Sequence, residues 1–152
     1  SDEHLFNYKG AFFKSIFGTL NHIVVADLIW LKRIAKQFPD LVSLHTTAEL
    51  PSPTSLDQQL GESIGDLTAL RRILDETLMA FCQELSSAIL GANLEYTSTK
   101  GIKSQKRLCD VLLHVFNHQT HHRGQATTLF SQVGVDVGAT DLILVMPNTP
   151  QT

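Results

Sequence analysis

Apolar residues recur at spacings of three and four along most of the chain, the period of helices that bury one face. The first such stretch runs from about Ala11 to Phe38 without a proline, and Pro39-Asp40 stops it. A second runs from about Leu56 to Leu90, with Leu67, Leu70, Leu74, Leu78 and Phe81 in phase and Gly91 and Asn93 as stops. A third spans about Ser104 to Val133 and closes at Gly134. The stretch TTAELPSPTSLDQQLG, with two prolines and several Ser/Thr, reads as the connecting loop after the first helix. LEYTSTKGIKSQ is too polar and β-branched for helix and carries a weak signal for a short hairpin turning at Lys100-Gly101. The tail holds one apolar run, Leu142 to Met146. The pattern therefore predicts an all-α fold in one domain, residues 1–152, with a short hairpin near 94–104.

Composition narrows this reading. The 152 residues are 43% hydrophobic and 18% charged, ordinary values for a chain that buries a core. A net charge of −3 argues against a nucleic-acid partner, whose binding surface is normally basic. The apolar run HIVVADLIWL is broken by Asp27 and followed by Lys32 and Arg33, so no membrane span is expected. SDEHLF lacks the basic and apolar regions of a signal peptide, and the expected location is cytoplasmic. Cys82 and Cys109 form neither a C-x-x-C pair nor a disulfide framework. Both fall within helical patterns and are expected to be buried and inert.

The chemistry concentrates in HVFNHQTHHRGQ, residues 114–125, which holds four of the seven histidines. At about 100° per residue, Leu108, Val111, Leu112, Val115, Ala126, Leu129, Phe130 and Val133 share one face. His122 lies roughly 30° from the centre of that face and His118 roughly 70°, while His114 and His121 lie at roughly 110° to 130°. Two imidazoles at i and i+4 have the spacing to share a metal ion. Core or surface histidines making ordinary hydrogen bonds are the alternative, and H-x-x-x-H alone does not separate the two. The metalloprotease version needs H-E-x-x-H, and Gln119 follows His118.

A third ligand would have to come from elsewhere. His4 and His45 lie near the terminus and in a loop, whereas His22 sits inside the first long helix among apolar residues. One histidine from that helix and two from the last would cap a metal with three nitrogens, leaving a position open for water or substrate.

The motifs G-A-F-F-x-S-I-x-G-T-L-N-H-I-x-x-A-D-x-x-W-L (10–31), R-x-x-L-D (71–75) and H-V-F-N-H-Q-T-H-H-R-G-Q (114–125) resemble the DinB-like family. The resemblance extends to the G-x-x-x-G-x-T-D-L of residues 134–142. It implies an up-down four-helix bundle, often dimeric, whose divalent metal is held by one histidine of the second helix and two of the last. Carried onto this chain, those ligands are His22, His118 and His122. It also implies an N-terminal helix before SDEHLFNYKGAFF, which is expected upstream of Ser1 or absent.

For function, the resemblance implies a divalent-metal protein and a homodimer. Zinc or nickel is the expected ion, with iron or manganese as alternatives, since three imidazoles plus water accept all four. Relatives in this superfamily include metal-dependent enzymes that join low-molecular-weight thiols to electrophiles. Such a transferase, or a related hydrolase, is therefore expected, with no catalytic side chain evident. The alternative is a non-catalytic stress-response protein whose metal is structural or sensed. Asp27 and Asp75 are expected as exposed carboxylates or ion-pair partners rather than as acceptors for a ligand ring. Asn117 and Gln125 are expected to orient the helix or the ligands, Arg123 to form an ion pair across the bundle or the dimer, and Trp30 to pack in a core or an interface.

Overall fold

The structure, a computed structural model, describes residues 2–148. Its helices are α1 (Asp2–Phe6), α2 (Ile16–Gln37), α3 (Ile64–Glu84), α4 (Ser87–Gly91) and α5 (Leu108–Gln132). An antiparallel hairpin of β1 (Asn93–Thr97) and β2 (Lys103–Arg107) joins α4 to α5. Two 3-10 segments, Val42–Glu49 and Leu142–Val145, complete the described elements.

Helix starts are set by caps. Ser15, in extended backbone, accepts from the Gly18 amide at 3.0 Å and opens α2. Ser63 and Asp66 form a reciprocal capping box at the start of α3. That box explains why α3 begins at Ile64 rather than near Leu56 as the apolar period suggested: residues before Ser63 satisfy their polar groups in the loop. Likewise α5 begins at Leu108 and not Ser104, because Lys103–Arg107 pairs with Asn93–Thr97 in the hairpin. The expected turn at Lys100-Gly101 is present, with Gly101 at φ +78° and its amide donating to the Ser98 carbonyl at 2.9 Å.

The core lies where three long helices meet. Val24, Leu28, Leu31 and Ile34 of α2 pack with Leu74, Leu78 and Phe81 of α3 and with Leu108, Val111, Leu112 and Val115 of α5. Among the described residues these three helices are the long ones, and the fourth implied by the resemblance is not among them. The up-down alternation fails between α2 and α3. Asn21 bonds Gln58 and Leu60 just ahead of α3, Asp27 pairs with Arg71, and Ser43 beyond the end of α2 bonds Glu84 at the end of α3. The two helices thus run parallel, because the long connection 38–63 carries the chain back along the length of α2. α5 runs against α2, bringing its last turns to the start of α2 and its first turns to the end.

Buried charge ties the three helices together. The Asp27 carboxylate, 1% exposed, accepts from Arg71 of α3 and from the Gln119 amide of α5 at 2.6 Å. Arg71 also reaches Asp75 at 2.9 Å, one turn along its own helix. Asp27 is therefore no acceptor for a ligand ring, as expected, but it is buried and paired across helices rather than exposed or paired within its own helix, while Asp75 is the helix ion-pair partner expected. Burial pushes the Asp27 carboxyl above the usual carboxylate range, and Arg71 and Gln119 pull it back.

Two further expectations are corrected. Cys82 is exposed and Cys109 half-buried, since both lie off the inward stripe of their helices. Arg123 donates to Gln119 at 3.1 Å and to Thr120 at 3.2 Å on its own helix, so the ion pair expected across the bundle is not made among the described residues, and the alternative, across a dimer, would involve a second chain. Trp30 packs edge-on against Tyr96 of β1, as a packing residue.

Candidate metal centre

His22, nearly two turns into α2, and His118 and His122, on adjacent turns in the middle of α5, meet between the two antiparallel helices. Their candidate ligand atoms all lie within 4.8 Å of one another. His118 Nε2 is 3.2 Å from His22 Nε2 and 3.1 Å from His122 Nε2. Nitrogens bound at about 2.05 Å to one tetrahedral ion would be roughly 3.3 Å apart, so the cluster is sized for a single metal.

The other ring nitrogens fix the protonation. His22 Nδ1 is 2.8 Å from the Leu56 carbonyl, which can only accept, so Nδ1 carries the proton and Nε2 presents a lone pair. His122 Nδ1 donates to Gln125 Oε1 at 2.7 Å, which leaves its Nε2 likewise unprotonated. His118 Nε2 stands between these two lone pairs and can donate to only one. A third lone pair there, or an unmatched N–H, is unfavourable in a partly buried site. A cation at the focus removes the conflict.

Electrostatics act in the same direction. Burial lowers the His22 pKa, the Leu56 carbonyl partly opposing it, and burial lowers that of His122, with Gln125 opposing. His118 is pushed down to about 4, by burial first and then by the neighbouring imidazoles. All three rings are therefore neutral at pH 7, the form that ligates metal.

Residues far apart in sequence hold these rings in place. The Asn21 side chain donates to the Gln58 carbonyl and accepts from the Leu60 amide, both at 2.9 Å, pinning the returning loop so that Leu56 faces His22. Phe13 stacks on His22, with centroids 3.8 Å apart and planes 15° apart. Gly18 makes that approach possible: a Cβ there would sit 2.0 Å from the Phe13 carbonyl oxygen. Leu56, Phe13 and Asn21 were not singled out from the sequence; Asn21 entered only as part of the N-H motif. Gln125 does orient a ring, whereas Asn117 is exposed and bonds back to the Leu113 carbonyl.

His114 and His121 stand beside the cluster without joining it. Both are exposed; His114 lies against Trp30, and His121 Nε2 is 3.1 Å from Gln125 Nε2. Gln125 thus donates to one ring and accepts from the next. Replacing it with leucine is expected to weaken metal binding about ten- to hundredfold by freeing the His122 ring, with glutamate largely preserving it. Competition with a chromophoric chelator measures this.

The family model for the DinB family matches residues 1–151. The chain belongs to the DinB family. It is 27% identical over 140 residues to Protein DinB of Bacillus subtilis (strain 168), covering 90% of this chain and 76% of that protein. No solved structure matches the chain. Within this DinB-family chain, the three histidines can hold a metal ion, and no fourth histidine, cysteine or carboxylate joins them among the described residues. Among those residues no helix is long and apolar enough to cross a membrane.

Proposed function

We propose that His22, His118 and His122 together hold one divalent metal ion, zinc or nickel before iron or manganese. We further propose that the open side of this centre serves the transfer of a low-molecular-weight thiol to an electrophile, or a related hydrolysis. The observation that carries the reading is the convergence of the three Nε2 atoms, with two tautomers fixed by Leu56 and Gln125. A bound divalent ion would supply Lewis acidity, lowering the pKa of a thiol or water that enters the site. Three neutral ligands leave the charge of such an ion uncompensated, so an anionic sulfur or oxygen is the complementary fourth partner.

The chain's own residues account for binding and access. Phe13 covers one side of His22, and His118 is half-buried, so entry is from the α5 side. Beside the cluster, Phe13 and Leu56 line a cavity of about 580 Å³ of mixed character, with Phe6, Phe12 and Phe17 on one part and Lys14 and Asp57 on another. A screen of metal-loaded protein with thiols and electrophiles, following loss of free thiol, tests the reading. Thiol consumption that stops on chelation supports it. No turnover together with a large loss of stability on chelation supports a structural clamp between α2 and α5.

A homodimer is part of the same proposal. Leu142, Ile143, Leu144 and Val145 are exposed along the tail, and Leu113 and Phe116 are exposed on α5. Apolar surface of this kind is normally covered by another chain. Light scattering at micromolar concentration is expected to give twice the chain mass, and a monomeric mass contradicts it.

A further inference from the structure

Toward its end remote from the histidines, α2 carries cations on one face. Arg33 and Lys36 are three residues apart, so their side chains are neighbours on the helix. Side chains of α2 clasp the hairpin against that face. Arg33 Nη2 donates to the Thr97 carbonyl at 2.7 Å, while Gln37 donates to the Asn93 carbonyl and accepts from the Glu95 amide at 2.6 Å. Strand register adds a third cation from the opposite wall. Lys103 pairs across the hairpin with Thr97, the residue whose carbonyl receives Arg33. Arg33, Lys36 and Lys103 thereby line one cleft of about 880 Å³ between α2 and the hairpin.

The charges of this cleft are not balanced from within. None of the three cations joins an ion pair among the described residues. The one carboxylate of the lining, Glu95, accepts from the Gln105 amide at 3.0 Å. Three cations against one carboxylate leave two positive charges over, on a chain whose net charge is −3. Lys36, in the last turn of α2, also complements the helix dipole, but Arg33 precedes that turn and Lys103 belongs to β2.

Arg33 is the anchor of the cleft. It is half-buried, with its guanidinium 4.7 Å from the Trp30 ring centre and 5.1 Å from that of Tyr96. Burial lowers its pKa, a cost that an arriving anion relieves. A guanidinium so oriented, whose bonded partner is a neutral carbonyl, is suited to grip an oxyanion. Charge then selects among oxyanions. A carboxylate brings a single negative charge, whereas a phosphomonoester brings about −1.5 to −2 at pH 7 on one compact group. The phosphomonoester matches the two unbalanced charges, and its three terminal oxygens offer an acceptor to each cation.

We propose that this cleft is a binding site for a small soluble phosphomonoester, its phosphate held by Arg33, Lys36 and Lys103. The site is separate from the histidine cluster and does not rest on the metal reading. A ligand there bridges α2 and the hairpin, the two elements that Arg33 and Gln37 already clasp.

Trp30 is the sole tryptophan and lies against Arg33, so its fluorescence reports on the cleft. The full chain is stripped of metal with a neutral chelator and desalted, so that no phosphate is drawn to an ion at the histidines. It is then titrated, at constant ionic strength, with glycerol phosphate, inorganic phosphate and succinate in separate runs. Glycerol phosphate is expected to give a saturable change, with half-saturation at least about tenfold below that of succinate. Lys36→Gln and Lys103→Gln are each expected to raise its half-saturation about tenfold, as loss of a charged hydrogen bond does. Both lysines are exposed, so neither replacement disturbs the core. Glu95→Gln is expected to tighten binding by removing the opposing charge. Calorimetry on the same samples reads the same constants without relying on the tryptophan. No saturable binding by either method, half-saturation unchanged in both lysine variants, or succinate binding as tightly as glycerol phosphate overturns the proposal. Inorganic phosphate saturating well below glycerol phosphate overturns the ester.

Discussion

Single replacement of His22, His118 or His122 by alanine is expected to strip the protein of divalent metal, lowering affinity by more than about a hundredfold. That exceeds the usual cost of losing only a ring-orienting partner. Each variant removes one of three converging Nε2 atoms, and the two left cannot satisfy a metal that prefers at least three protein ligands. His114→Ala and His121→Ala are expected to retain metal, since both rings are exposed and outside the cluster. A weakly binding surface patch would behave otherwise, with graded losses for all four histidines of 114–122 and none for His22. Metal content per chain after dialysis, measured on protein without a polyhistidine tag, separates the two. Retention by His122→Ala with loss by His121→Ala would sink the assignment.

Arg71→Met is expected to destabilise the metal-free protein by about 3 kcal/mol, because it leaves the buried Asp27 carboxylate without its counter-charge. For a chain of this size that is a fall in Tm of roughly 10 °C. The pH dependence comes from the direction of the Asp27 shift. Its folded-state pKa is already raised by burial, and removing Arg71 raises it further. An acid with a raised folded pKa holds its proton better when folded, so the penalty is absent below the unfolded pKa and grows as pH rises through the folded one. The deficit of Arg71→Met is therefore larger at about pH 8 than at about pH 5. Asp27→Leu combined with Arg71→Met is expected to regain much of the loss, since it leaves no unpaired charge. Urea unfolding in the presence of a chelator measures all three, and a loss that does not change with pH contradicts the account.

The placement of His118 and His122 on the inward half of one helix was legible because it depends only on a helical period and four residues of spacing. His22 could be proposed as their partner because an imidazole among apolar residues of a long helix needs a polar neighbour. Helix ends were less legible: the Ser63–Asp66 box was overrun by an apolar period that looked continuous from Leu56. The Asp27–Arg71 pair was missed for a different reason. Nothing local distinguishes a carboxylate that meets a guanidinium on a parallel helix from one that faces water.

By itself, the sequence determined what local geometry can encode: three apolar stripes, the hairpin turn at Gly101, and an i, i+4 pair of imidazoles. The tertiary structure decided what depends on closing long loops. The return of residues 38–63 sets α3 parallel to α2, which brings Arg71 to Asp27 and the Leu56 carbonyl to His22. The approach of Phe13 over Gly18 and the contact of Arg33 with Trp30 and Tyr96 belong to the same class. In each case the partners lie on separate elements, and packing of the whole core, rather than the period of either segment, selects which faces meet.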